Sequence, residues 1–172
     1  MRFEKVTEQQ FLDTIKGLYN DSLDELEVDW KEYYTNCLKK INLPQRGTSN
    51  SAGYDFVSPM SVKLPPHTST VIPTGVRWVS DNNSSVLLIV PRSSLGFKYG
   101  MALANTVGVI DEDYFKADNE GHIMVKVVNN SEMDLTIHTG DRFCQGIIVP
   151  YAVVDDDVTF AEREGGIGST GK

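Results

Sequence analysis

Four stretches of this 172-residue chain hold side chains that could act on a phosphorylated ligand. Pro91-Arg92-Ser93-Ser94 follows the apolar run Val86-Leu87-Leu88-Ile89-Val90, which puts a guanidinium fork and two small hydroxyls at a strand end. Such donors can cradle phosphate oxygens, although by itself the tetrapeptide fits a polar turn with serine capping better. Gly108-Val109-Ile110-Asp111-Glu112-Asp113-Tyr114 ends an apolar stretch in acidic residues. Asp111 is expected at a strand end facing a cleft, where a carboxylate can hold a water and accept its proton; acidic clusters are also common in solvated loops. Gly140-Asp141-Arg142-Phe143-Cys144-Gln145 reads as a turn entering an apolar strand, with Asp141 and Arg142 as turn and ion-pair residues. Gly165-Gly166-Ile167-Gly168-Ser169-Thr170-Gly171-Lys172 is dense in glycine. Its closely spaced N–H groups and two hydroxyls could wrap phosphate oxygens, the alternative being a terminus without fixed structure. It is not a Walker A loop, because no Gly-x-x-x-x-Gly-Lys-Ser/Thr precedes a helix.

Two kinds of element have to position these residues. From residue 7 to about 41 the spacing is helical. Thr7-Glu8-Gln9-Gln10 fits a capping box, and Phe11, Ile15, Leu18 and Tyr19 follow at helical steps. Ser22-Leu23-Asp24-Glu25 repeats the cap pattern ahead of Leu26, Trp30, Tyr33, Tyr34, Cys37, Leu38 and Ile41. Two amphipathic helices joined near Asn20-Asp21 are expected, with the apolar stripe used for packing or, given its aromatic residues, for a protein partner. From Ile41 onward β-branched runs recur: Thr68 to Ile72, Val86 to Val90, Ile123 to Val128 and Gln145 to Val149. Turn signals such as Pro73-Thr74-Gly75, Asn129-Asn130 and Thr139-Gly140-Asp141 separate them, which predicts an all-β sandwich or barrel.

Asp and Glu (24) outnumber Lys and Arg (16), giving a net charge of −8. An acidic surface argues against a nucleic-acid backbone as partner but leaves small anions open, since a few arginines and a divalent metal reverse the sign locally. No apolar run nears the roughly 18 residues of a membrane helix. Cys37 and Cys144 match no metal-ligand spacing and read as free intracellular thiols. Met1-Arg2-Phe3-Glu4-Lys5 lacks the apolar core of a signal peptide. A single cytoplasmic domain over residues 1–172, binding neither nucleic acid nor membrane, is expected.

In chain order, Ala52-Gly53-Tyr54-Asp55, Pro91-Arg92-Ser93-Ser94-Leu95-Gly96-Phe97-Lys98, Gly108 to Tyr114, Gly140 to Gln145 and Gly165 to Gly171 resemble the five ordered motifs of the trimeric dUTPases. The resemblance covers residues 52 to 171. It implies a jelly-roll-like β-barrel, a homotrimer with active sites shared between subunits, and a C-terminal arm (161–172) closing a site built by other subunits. The implied reaction is Mg2+-dependent hydrolysis of dUTP to dUMP and pyrophosphate, supplying dUMP and keeping uracil out of DNA. Asp111 resembles the family's base, which orients the water attacking the α-phosphorus. Tyr114 resembles the residue whose ring packs on deoxyribose and leaves no room for a 2′-hydroxyl. Asn105 stands at the uracil-contacting position, with Val109, Ile110, Gly121, Met124 and Ile167 expected around base and sugar. Arg92, Ser93, Ser94, Gln145, Arg163, Gly168, Ser169 and Thr170 are expected on the phosphates, and Asp55 supports the site by pairing with an arginine. The resemblance implies Mg2+ held by triphosphate oxygens and water, with no direct protein ligand. Positioning and charge neutralisation then carry the reaction.

The chain departs from that pattern in three places. Phe115-Lys116-Ala117-Asp118-Asn119-Glu120 precedes Gly121, where the family usually has glycine soon after the tyrosine, so a longer lip to the uracil pocket is expected. In the arm, Ile167 replaces a common phenylalanine, losing stacking worth roughly 0.5–1.5 kcal/mol, and Arg163 lies one residue nearer the glycines. Residues 7–40 look like an insertion between Arg2-Phe3-Glu4-Lys5-Val6 and Ile41-Asn42-Leu43-Pro44. They are expected as a helical hairpin outside the trimer, removable without loss of catalysis, with an unidentified protein partner left open. Two other functions stay open: a dCTP deaminase relative, distinguished by ammonia release, and a nucleotide-gated binding protein, distinguished by pull-down with and without dUTP.

Overall fold

The computed structural model describes residues 1–23, 28–81, 84–159, 163 and 165–166. The chain opens with β1 (Arg2–Lys5), followed by α1 (Glu8–Leu23) and α2 (Trp30–Lys40). α1 starts where the capping pattern puts it. The Thr7 hydroxyl accepts the Gln10 N–H at 3.2 Å, satisfying one donor that a first turn leaves unpaired. Tyr19 has non-helical φ/ψ (−130°, 17°), so two helical stretches meet there, beside the join expected near Asn20-Asp21; the second runs to Leu23 and contains Ser22, which is no cap. α2 is capped instead by Asp29, whose carboxylate accepts from the N–H groups of Lys31 and Glu32. At its far end Lys5 Nζ donates to the carbonyls of Leu38 and Lys39 at 2.8 and 2.9 Å, a cation on the negative end of the helix.

The apolar stripe of α1 belongs to the core, the packing use expected of it. Phe11 and Ile15 are 0 % exposed. With Leu23, Leu38 and Ile41 they join the hydrophobic cluster that contains Phe56, Ile72 and Trp78. Burying each such side chain stabilises by about 1.5–3 kcal/mol, far more than a loosely seated surface helix gains.

The remaining elements are β2 (Gln45–Arg46), β3 (Tyr54–Val57), β4 (Val62–Leu64), β5 (Ser69–Pro73), β6 (Val76–Val79), β7 (Ser85–Pro91), α3 (Ser93–Tyr99), β8 (Ala102–Leu103), β9 (Gly108–Ile110), a 3-10 turn (Tyr114–Lys116), β10 (Met124–Val128), β11 (Leu135–Ile137) and β12 (Arg142–Pro150). Each β-branched run of the sequence lies in one of them. The largest sheet has the order β2-β3-β12-β7-β9; β5-β10-β8, β1-β6 and β11-β4 form smaller ones. Neighbours among the described residues pair antiparallel, and in β7 Leu87 and Ile89 turn into the core while Val86 and Leu88 are half-buried.

Two parts of the sequence-based fold expectation need correction. The sheets are open, with no closed barrel among the described residues. Outside the five-stranded sheet the strands have two to five residues and pair only in sheets of two or three, each of which keeps two edges. The chain is also mostly β with helices rather than all-β, since α1, α2 and α3 are integral to it. No helix among the described residues is long and apolar enough to cross a membrane.

Candidate active site

β7 is the spine of the site, flanked by β12 on one side and β9 on the other. Gly108 pairs with Ile89, where a Cβ would stand 3.1 Å from the Ile89 Cβ, so the small residue lets β9 lie close. Asp111 steps off the end of β9, and the Tyr114 N–H returns to its carbonyl at 3.1 Å. This turn folds Tyr114 back as one wall of a cavity of about 470 Å³. Asn105, Val109, Ile110, Asp111, Met124 and Arg163 share that cavity with it. An apolar floor with a few polar groups at the rim suits a small-molecule ligand. Ala104, Lys126 and Gly166 also line the cavity and were missed. Lys126 had a signal: it is the one charge inside the run Ile123 to Val128, and β10 leaves it exposed between buried Val125 and Val127.

Gly121 does not line the cavity; it shapes the lip behind it. Its φ is +70°, and a Cβ there would stand 2.5 Å from Phe115 Cα and 2.7 Å from the Tyr114 carbonyl oxygen. Only glycine lets residues 115–120 fold back onto Tyr114. The Tyr114 hydroxyl donates to the His122 carbonyl at 3.3 Å and accepts from Asn119 Nδ2 at 2.9 Å. Burial raises the Tyr114 phenol pKa, with Asn119 and Arg163 acting in the opposite sense. Gly121→Ala is expected to lower stability by roughly 1–3 kcal/mol, read by thermal unfolding; an unchanged melting curve would mean the lip has another conformation.

Arg163, expected on the terminal phosphate, lies against the acidic turn that follows β9. Its guanidinium pairs with Asp111 and, at 2.8 Å, with Asp113, and lies 5.6 Å over the Tyr114 ring. Its side chain is only 9 % exposed. A guanidinium with so little water takes the carboxylates within reach.

The phosphate-side residues form a separate place. Arg92 precedes the first turn of α3, which begins with Ser93 and Ser94, so this stretch is a helix start and not the turn expected. Arg92 and Ser94 line a second cavity, of about 320 Å³, together with Asp141 and Arg142. Asp55 pairs with Arg142 at 3.1 Å and with Arg92 at 3.8 Å, the arginine pairing expected of it. Gln145 stands opposite Asp55 in the β3–β12 ladder, and its amide fills the space that Gly53 leaves open. The two halves lie apart. Asp111 follows Ile110, which pairs with Leu87, whereas Arg92 is five residues beyond Leu87 along the same strand direction. At about 3.3 Å per residue that is a separation of roughly 20 Å. Ile167, Gly168, Ser169 and Thr170 lie outside the described residues. Among the described residues no group of three or more His, Cys, Asp or Glu is placed to hold a metal ion, and both cysteines are buried and free.

Comparison with known proteins gives the same family at the level of sequence and of fold. The family model described as dUTPase matches residues 39–171. A deoxyuridine 5′-triphosphate nucleotidohydrolase of Lactococcus lactis subsp. lactis is 41% identical over 134 residues, covering 76% of this chain and 89% of the relative. One of Cronobacter sakazakii is 39% identical over 153 residues, covering 85% and 97%. The crystal structure of the Streptococcus mutans dUTPase superposes with a TM-score of 0.66 at 29% identity, covering 90% of this chain and 99% of that one. From the match over residues 39–171 and these identities, the chain belongs to the dUTPase family.

Proposed function

We propose that this chain hydrolyses dUTP to dUMP and pyrophosphate. The observation that carries the reading is the turn from Asp111 to Tyr114, which sets a carboxylate and an aromatic wall on one cavity with the Asn105 amide. The L. lactis and C. sakazakii relatives bear the name of that activity. In this reading Asn105 pairs with the uracil edge, and the Tyr114 ring packs on the deoxyribose and excludes a 2′-hydroxyl. Asp111 orients a water and takes its proton as the oxygen attacks the α-phosphorus; the bond from that phosphorus to the pyrophosphate oxygen breaks. Mg2+ arrives with the triphosphate and neutralises its charge, so it acts as part of the substrate.

Two consequences follow for the rest of the site. While Arg163 engages the Asp111 carboxylate, it competes with a water for the same oxygen. A triphosphate offers Arg163 a competing anion, so substrate binding and release of the base become one event. The roughly 20 Å between Asp111 and Arg92 along β7 supports a homotrimer with shared sites, in which Arg92, Ser93, Ser94 and Gln145 act on the phosphates from a neighbouring copy. Gly168, Ser169 and Thr170 would then close over the triphosphate, and Ile167 over the base with less stacking than an aromatic gives.

Pyrophosphate release from dUTP, dCTP, dTTP and UTP, each with Mg2+, tests the reading. Turnover of dUTP alone is expected. Equal turnover of all four would remove the substrate assignment, and ammonia from dCTP would make the chain a deaminase.

A further inference from the structure

The two departures in the first half of the site, the 7–40 segment and the longer lip at 115–120, meet each other in the structure. A capping box would send the Gln10 side chain back to the Thr7 N–H. Here Glu120 does that from 113 residues away: its carboxylate accepts the Thr7 N–H at 2.8 Å and the Thr7 hydroxyl at 2.6 Å. The Gln10 amide is freed and donates to Thr14 Oγ1 at 3.1 Å. Thr14 Oγ1 in turn donates to the Gln10 carbonyl at 2.9 Å and lies 3.0 Å from His122 Nδ1.

His122 is 0 % exposed and is held from two sides. Its Nε2 lies 2.9 Å from the Gly75 N–H. A ring nitrogen that accepts a backbone N–H carries no proton, so the proton of the neutral ring is on Nδ1 and points at Thr14. Burial pushes the ring pKa down to about 4, against the opposing pull of Glu120, which keeps the ring neutral at ordinary pH. Phe11 of α1 packs beside the ring, with centroids 5.9 Å apart.

The other face of this assembly is the substrate cavity. The His122 carbonyl accepts the Tyr114 hydroxyl. Asn119 donates to the same hydroxyl, accepts the Gly121 N–H at 3.1 Å, and stands against Gly166, a residue of the cavity wall. A continuous set of contacts therefore runs from α1 through Thr14 and His122 to the wall that would meet the sugar.

We propose that Thr14, His122 and Glu120 are positioning residues for deoxynucleotide selection: α1 holds the lip, and the lip holds the Tyr114 ring. This rests on the dUTP reading of the cavity. The inserted helix is then part of the selectivity machinery and not an appendage. None of the three touches the reacting atoms, so their loss acts on affinity and on sugar discrimination before it acts on the chemical step.

Thr14→Val keeps the shape of the side chain and leaves the His122 Nδ1–H buried without a partner. Its KM for dUTP is expected to rise about fivefold to tenfold, with kcat nearly unchanged and the dUTP-over-UTP ratio of kcat/KM falling by a similar factor. Thr14→Ser, which restores the hydroxyl, should return both to the parent values. Calorimetric binding of a non-hydrolysable dUTP analogue should show the same loss without any turnover. Should Thr14→Val fail to fold, Glu120→Ala decides, since it removes only the surface end of the clamp; a smaller change in the same direction is expected. Folded variants that melt earlier but keep the parent's KM and dUTP-over-UTP ratio would make the clamp a stability device and overturn the proposal. A parent protein that neither hydrolyses dUTP nor binds the analogue would instead defeat the reading of the cavity.

Discussion

Asp111→Asn is expected to leave a folded protein whose kcat on dUTP is lower by about two to four orders of magnitude, with KM changed far less. The amide keeps the shape of the carboxylate and one acceptor oxygen but cannot take a proton. A general base acts in the transition state, so its loss falls on kcat. Folding should be indifferent to the change. The Asp111 side chain is 55 % exposed, and Arg163 keeps Asp113 as a partner at 2.8 Å. Asp113→Asn is the matched comparison. It removes the second carboxylate of the same Arg163 cluster, leaves Asp111 intact, and should keep kcat within about tenfold of the parent. Steady-state pyrophosphate release with a melting curve for each variant separates these outcomes. An Asp111→Asn enzyme with kcat close to the parent would exclude Asp111 as the base. A collapse in Asp113→Asn alone would move the role to Asp113.

The features legible in the sequence were those that rest on local periodicity. Val86 to Val90 and Ile123 to Val128 read as strands because apolar, β-branched residues have no other use at that density, and they lie in β7 and β10. Asp111 and Tyr114 were readable for a related reason: only two residues separate them, and one turn holds both on the cavity. What the sequence did not disclose depends on partners far along the chain. Gln10 was the local candidate to complete the α1 cap, yet Glu120 takes that place. Arg163 was read as a phosphate ligand because the family motif put it there, while Asp111 and Asp113 compete for it when no phosphate is near. Ser93-Ser94 read as a turn because Ser favours turns and helix starts alike, and a helix of seven residues leaves too short a periodic trace to decide.

Removing residues 7–40 should destroy the soluble fold, the reverse of what the sequence suggested. The family model matches residues 39–171, so most of the segment lies outside it. The geometry even allows a clean splice. The Val6 N–H donates to the Gly75 carbonyl at 3.1 Å, and Ile41 Cδ1 lies 2.5 Å from where a Gly75 Cβ would stand, so the two ends of the segment meet at Gly75. Chain closure is thus not the obstacle, and the outcome reports on packing. Phe11, Ile15, Leu23 and Leu38 all lie in the cluster with Ile72 and Trp78. At about 1.5–3 kcal/mol for each buried side chain, the four contribute roughly 6–12 kcal/mol before the ordering of their own helices is subtracted. Typical domain stability is about 5–15 kcal/mol, so this chain's core depends on residues 7–40. Deletion would also strip His122 of its Thr14 partner and of the Phe11 ring packed beside it. A splice of Val6 to Ile41 through a short glycine-serine linker, compared with Phe11→Ala alone, grades the effect. Phe11→Ala is expected to cost about 3–5 kcal/mol by denaturant unfolding, and the deletion to give aggregated protein. A soluble deletion variant that unfolds cooperatively and turns over dUTP at the parent's KM would show that the helices are an added layer, and would take the positioning role of α1 away with it.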